Sequence, residues 1–198
     1  MFRKALYGLL FFPLLLACSI EEEPLPTGTQ LMLNPNLSQY SDSVSPWTSS
    51  QSGSAQIGTS REDFLTGNRS LFIENQDPIN IHNASWVQTY TGQMPAPGSQ
   101  LELTVFLKGE NLRIEEGSTA SISIYFTVSL PSNEGGSTQN RTVGSDIASS
   151  LEGSFDWTPI RITMDSFPPE ATSIRVHLGM FGLTTGKIYF DEITLTVL

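Results

Sequence analysis

Apolar residues recur at every second position over much of this chain. Between 101 and 108, Leu101, Leu103, Val105 and Leu107 share one side, while Glu102, Thr104, Phe106 and Lys108 share the other. Between 121 and 129, Ile122, Ile124, Phe126 and Val128 alternate with Ser123, Tyr125, Thr127 and Ser129. A period of two marks a half-buried β-strand, because successive side chains of an extended chain point to opposite faces. The pattern returns at 70–74, at 160–163, and at 174–178, where Ile174, Val176 and Leu178 alternate with Arg175 and His177. The last segment, 187–197, is apolar on both sides, which predicts a bulge or burial on two faces. Turn residues such as Gly67-Asn68 and Pro97-Gly98 separate the runs. No apolar stripe at i, i+3, i+4, i+7 lasts three turns. About nine short strands follow from this reading, and they predict an all-β domain of two antiparallel sheets packed as a sandwich. The polar stretch 131–153 is expected to hold one short strand near 142–147 within loops.

Composition supports that class and narrows the chemistry. The 198 residues include 25 Ser, 19 Thr, 16 Gly and 12 Pro, a set that favours strands and turns over long helices. One Cys and two His exclude a disulfide framework and a Cys/His zinc cluster. The net charge of −10 argues against nucleic acid as a partner, since phosphate recognition needs a basic face.

The first residues read as an address. Phe2-Arg3-Lys4 precedes an apolar run, Ala5 to Leu16, of about a dozen residues, too short to span a bilayer comfortably. The run ends in Leu15-Leu16-Ala17-Cys18, which resembles the lipobox of bacterial lipoproteins. That resemblance implies a signal peptide over 1–17, removed to leave Cys18 as a lipidated N-terminus that carries palmitate-type chains and holds the protein at a membrane. Ser19, rather than Asp, implies the outer membrane of a bacterial cell envelope, with the side it faces left open. Residues 18–30, with Glu21-Glu22-Glu23 and two prolines, are expected to form an acidic tether, and 31–198 the β-sandwich. That domain holds 17 acidic and 8 basic residues, a net −9, which favours neutral glycans or proteins over acidic polymers.

A series of short motifs then runs in order through 31–198. Asn34-Pro35-Asn36-Leu37-Ser38 precedes Trp47, and Gly67-Asn68-Arg69-Ser70-Leu71 opens a strand. Pro97-Gly98 leads into 101–108 and Glu110-Asn111, and Phe155-Asp156-Trp157 is followed by Phe167-Pro168. The chain closes on Gly186-Lys187-Ile188-Tyr189-Phe190-Asp191-Glu192-Ile193. This order resembles galactose-binding-like jelly rolls, above all the carbohydrate-binding modules found beside bacterial glycanases, the cenC-type modules among them. The resemblance implies a jelly roll with Trp47 and Trp157 between the sheets. It also implies a structural calcium near the chain start and the last strand, for which Asn34 and Asp191 are the candidates. Ser38 stands where members often carry Glu, which removes a carboxylate from that site. No other cofactor is required.

Catalytic motifs are lacking. There is no Gly-x-Ser-x-Gly elbow, His82 and His177 sit in separate segments without a local motif, and no spacing singles out a glycosidase carboxylate pair. Binding is better served. Sugars lay C–H faces on aromatic rings and offer hydroxyls to amide, guanidinium and imidazole groups. Tyr125 and Phe106 lie on the polar sides of their strands, and Arg175 and His177 share one side of another. Trp86, Gln88 and Tyr90 alternate in a further strand; the opposite assignment puts them in the core with Val87 and Thr89 outside. These seven are the candidate carbohydrate-binding residues, if their strands form one sheet. The reading is a non-catalytic glycan-binding lipoprotein. The rivals are an envelope structural or assembly protein that binds another protein, and a small glycoside hydrolase or lyase.

Overall fold

The computed structural model describes residues 23–114, 122–132, 138–146 and 151–198. The lipobox and Cys18 lie outside the described residues. Ten strands form: β1 (Thr48–Ser52), β2 (Gln56–Ser60), β3 (Ser70–Asn75), β4 (His82–Tyr90), β5 (Leu101–Ile114), β6 (Ile122–Leu130), β7 (Gln139–Asp146), β8 (Gly153–Met164), β9 (Ser173–Gly182) and β10 (Thr184–Val197). They pair antiparallel into two five-stranded sheets, ordered β1-β4-β9-β6-β7 and β2-β3-β10-β5-β8. Setting aside β1 and β2, each an edge strand of a different sheet, the eight remaining strands alternate between the sheets in the order of a jelly roll: third to tenth in sequence, they give β3-β10-β5-β8 and β4-β9-β6-β7.

The predicted alternation is what builds the core. Leu101, Leu103, Val105 and Leu107 from one sheet meet Ile122, Ile124, Phe126, Val128, Ile174, Val176, Leu178 and Met180 from the other, all without solvent exposure. Each such side chain contributes about 1.5–3 kcal/mol by leaving water. The two-sided apolar pattern of the last strand has both predicted causes. Ile188 and Phe190 face the core, Tyr189 lies on the opposite side, and the pairing with β5 slips between Asp191 and Thr194, where Glu192 adopts φ 46°. Two strands escape the sequence reading. β1 and β2 are nearly all polar, and all of β1 is exposed, so no hydrophobic period announces them; they form by pairing with β4 and β3.

Part of the expected tether belongs to the sandwich. Gly28 N–H donates to Val197 O at 2.7 Å, Gln30 bridges to Thr196, and the Gln30 side chain accepts from Leu195 N–H at 2.8 Å. The chain therefore enters the fold at the C-terminal end of β10.

Candidate functional site

The seven candidate binding residues do not share a surface. In β4, alternation runs the other way round from a ligand face: Ala84, Trp86 and Gln88 point inward, and Ser85, Val87 and Thr89 outward. Trp86 is 6% exposed, and its indole N–H donates across the sandwich to Phe72 O at 3.2 Å. Gln88 is buried and holds the backbone of one residue of the N-terminal segment, accepting from Leu33 N–H at 2.7 Å and donating to Leu33 O at 2.9 Å. Tyr90 packs half-buried against the core and donates its hydroxyl to Gln93 O at 2.8 Å. These three are corrected to structural roles: a buried ring or amide that already has its partner cannot present itself to a sugar. Phe106 does lie on an outer face, but on the β5 side, opposite the rest.

Tyr125, Arg175 and His177 do come together. β6 and β9 are neighbours, and the register places Tyr125 directly across from His177, and Thr127 across from Arg175. The Tyr125 and His177 rings stack with centroids 4.6 Å apart and planes 13° from parallel. Beyond His177 in the same row lie Val87 and Thr48. Phe181 occupies the outer side of β9 as well, two positions past Gly179, and its ring lies so close over Gly179 that a Cβ there would collide with it. Ser85 and Ser123 flank Gly179 in the neighbouring strands. The result is a track of about 20 Å from Arg175 to Phe181, aromatic in the middle and lined by small polar residues.

Electrostatics differ sharply from the whole-chain sum. β1, β4, β6 and β9 contain no Asp or Glu, and β7 contains only Asp146. His177 titrates below the usual histidine range because burial and the nearby Arg175 charge both disfavour its protonation. At neutral pH the imidazole is therefore uncharged, with one donor and one acceptor nitrogen. Arg175 is exposed, and its Nε donates to Thr89 Oγ1 at 3.1 Å.

The opposite outer face, on β3, β10, β5 and β8, is aromatic too. Lys187 lies 4.5 Å from the Phe72 ring centre and 4.9 Å from that of Tyr189. Lys108 pairs with Asp63 and, at 3.4 Å, with Glu110. Tyr189 is only 2% exposed beneath these groups, and its hydroxyl donates to Glu110 Oε2 at 3.3 Å. Burial and the two carboxylates hold that hydroxyl well above the usual tyrosine range. Trp157 also sits here, half-buried with its ring edge-on to Tyr189 at 6.4 Å, not between the sheets as expected. Trp47 is in the core as expected.

The calcium expectation does not fit these residues. Asp191 is fully buried, and its two oxygens accept three backbone N–H bonds, from Leu65 (2.8 Å), Thr66 (3.1 Å) and Glu192 (2.8 Å). Burial pushes its carboxyl up to about 6 against the pull of those bonds. Asn34 accepts from Gln39 N–H at 2.9 Å and donates to Ser45 O at 3.1 Å. Oxygens already facing N–H dipoles are poorly placed to face a cation, which needs six or more oxygen ligands. Among the described residues, no group of three or more His, Cys, Asp or Glu is arranged to hold a metal.

Phe181 was missed by sequence reading, although its signal was present: it continues the Arg175, His177 spacing by two further steps of two. The N-terminal β1 edge of the track had no such signal.

No protein-family model matches the chain, and no curated protein matches it. Solved structures do. A xylan-binding domain, CBM22-1 of Paenibacillus barcinonensis Xyn10C, superposes with TM-score 0.52 at 15% identity, over 87% of this chain and 97% of that one. The carbohydrate-binding module TmCBM61, in complex with β-1,4-galactotriose, gives 0.51 at 14%, over 86% and 100%. The enzymatically active domain of the bacteriophage CBA120 tailspike protein 4 gives 0.57 at 16%, but this chain spans 21% of its length. At these identities the likeness is one of fold: the chain is an all-β, two-sheet jelly-roll sandwich, the architecture that carbohydrate-binding modules share.

Proposed function

We propose that the chain is a non-catalytic glycan-binding domain whose ligand lies along the outer face of the β1-β4-β9-β6-β7 sheet. The observation that carries this is the face-to-face Tyr125–His177 stack, set among short polar side chains on that outer face. The edges of such a stack suit sugar C–H groups, and the surrounding Ser, Thr and imidazole groups suit its hydroxyls. The fold shared with carbohydrate-binding modules supports the same reading. A glycosidase needs two carboxylates flanking the bond, and four of the five strands here carry none. Affinity electrophoresis of the full chain against a polysaccharide panel tests it. Retardation by at least one polymer, lost in a Tyr125→Ala/His177→Ala variant, is expected. No retention at millimolar ligand, or full retention by the variant, overturns the reading.

The lipobox motif supports a second element of the proposal, attachment to the outer membrane through Cys18. Cys18→Ser is expected to abolish incorporation of radiolabelled palmitate and to move the protein from the membrane to the soluble fraction. Unchanged labelling overturns it.

A further inference from the structure

The net charge of the domain is not the charge a ligand meets. Strands β3, β5, β8 and β10 carry Glu74, Glu102, Glu110, Asp156, Asp191 and Glu192, whereas the sheet proposed to bind glycan carries only Asp146. The core layer stands between the two outer faces, with sheets packed about 10 Å apart. Arg175 is the only Lys or Arg in β1, β4, β6 and β9.

Its geometry suits an anion. Among the described residues, the four ion pairs formed are Lys108–Asp63, Lys108–Glu110, Arg161–Glu102 and Lys187–Glu74, and none involves Arg175. The Nε bond to Thr89 Oγ1 orients the guanidinium and uses one of its five N–H groups. The two Nη groups remain to form the forked pair of hydrogen bonds that a carboxylate accepts. Arg175 and His177 sit two positions apart on one strand face, about 7 Å, so one ligand reaches both.

We propose that the polysaccharide bound here bears uronate carboxylates, with the sugar beside the Tyr125–His177 stack and a carboxylate held by Arg175. This rests on the glycan-binding reading above and names its substrate class. The test compares each acidic polymer with its own carboxyl-reduced form: polygalacturonate and glucuronoxylan, before and after reduction, titrated with the full chain at low and high salt. The acidic form of at least one polymer is expected to bind about tenfold more tightly than its reduced form, as suits a charged hydrogen-bonded pair. That gap is expected to shrink at high salt and to vanish in Arg175→Gln, while Arg175→Lys keeps part of it and the melting temperature stays put. Equal binding of acidic and reduced forms overturns the uronate proposal and leaves glycan binding standing. So does a gap unchanged in Arg175→Gln. Binding of neither form of either polymer overturns both.

Discussion

On the face carried by β9 and β6, the half-buried Tyr125 and His177 rings stack, and among the described residues Arg175 has a hydroxyl but no carboxylate for a partner. On the face carried by β10 and β5, each comparable group is already engaged. Lys187 lies between Phe72 and Tyr189 and pairs with Glu74, Lys108 pairs with Asp63 and Glu110, and Tyr189 is covered. Both faces arise from the same strand alternation and both are rich in aromatic residues. The difference is that one face spends its polar groups on itself. An internally paired layer stabilises the sandwich, whereas a face with a surface ring stack and a guanidinium in none of the described ion pairs is left to recognise something else. Aromatic content alone does not separate the two roles.

The largest expected effect comes from uncovering the closed face. Asp191 anchors the loop that brings Asp63 over Lys108, through its bonds from Leu65 and Thr66 N–H. Asp191→Ala leaves three backbone N–H groups without their acceptor, and should cost about 3 kcal/mol in urea unfolding. A loss below about 1 kcal/mol would show that the loop does not depend on this carboxylate. Next is the open face itself. Tyr125→Ala should weaken glycan binding about tenfold by isothermal titration, with little change in unfolding midpoint, because the ring packs on an outer face. Comparable losses of affinity and stability would erase the contrast between the faces.

Acid should act on the open face through His177 and on the end of the core through His82. His82 is fully buried, and burial lowers its pKa from 6.5 against the pull of a Gly182 backbone hydrogen bond; burial lowers that of His177 too. With both folded-state values depressed, the unfolded chain takes up these protons first as pH falls through about 6.5, so stability present above that pH is lost below it. Asp191, raised to about 6, works in the opposite sense between about pH 6 and 4, and equally in variants that leave it intact. The fall in unfolding midpoint from pH 7.5 to 5.5 should therefore be smaller in His177→Gln than in the unaltered chain, and smaller again with His82→Leu added. An identical fall in all three would remove the histidines as its cause. The smallest effect is expected from Lys187→Met, below about 1 kcal/mol in stability and none in glycan affinity, since partly exposed ion pairs contribute little. Lost affinity in that variant would move the ligand to the other face.

Much of the fold was legible in the chain because burial on one side writes a period of two into the residues. β5, β6 and β9 show it cleanly, and the two-sided pattern of 187–197 pointed to the bulge at Asp191 and to the covered Tyr189. β1 and β2 were illegible because exposed strands on a sheet edge need no apolar residue. In β4 the inward side holds His82, Gln88 and Tyr90 beside Ala84 and Trp86, so polarity did not mark the core side, and the sequence left both assignments of Trp86, Gln88 and Tyr90 open.

What the sequence by itself determined is the class of the fold, the alternation within each long strand, and the pairing of Arg175 with His177 on one side of β9. Those are local consequences of strand geometry. Only the tertiary structure decided that Tyr125 meets His177 while Phe106 lies on the far side, since strand order is set by how the two sheets close around a shared core. It also decided where the acidic charge goes, gathering carboxylates on one outer face beside the lysines that neutralise them. The other face is left nearly without charge apart from Arg175, because a carboxylate is stable where a cation or an N–H can reach it, and summed composition carries no such distances.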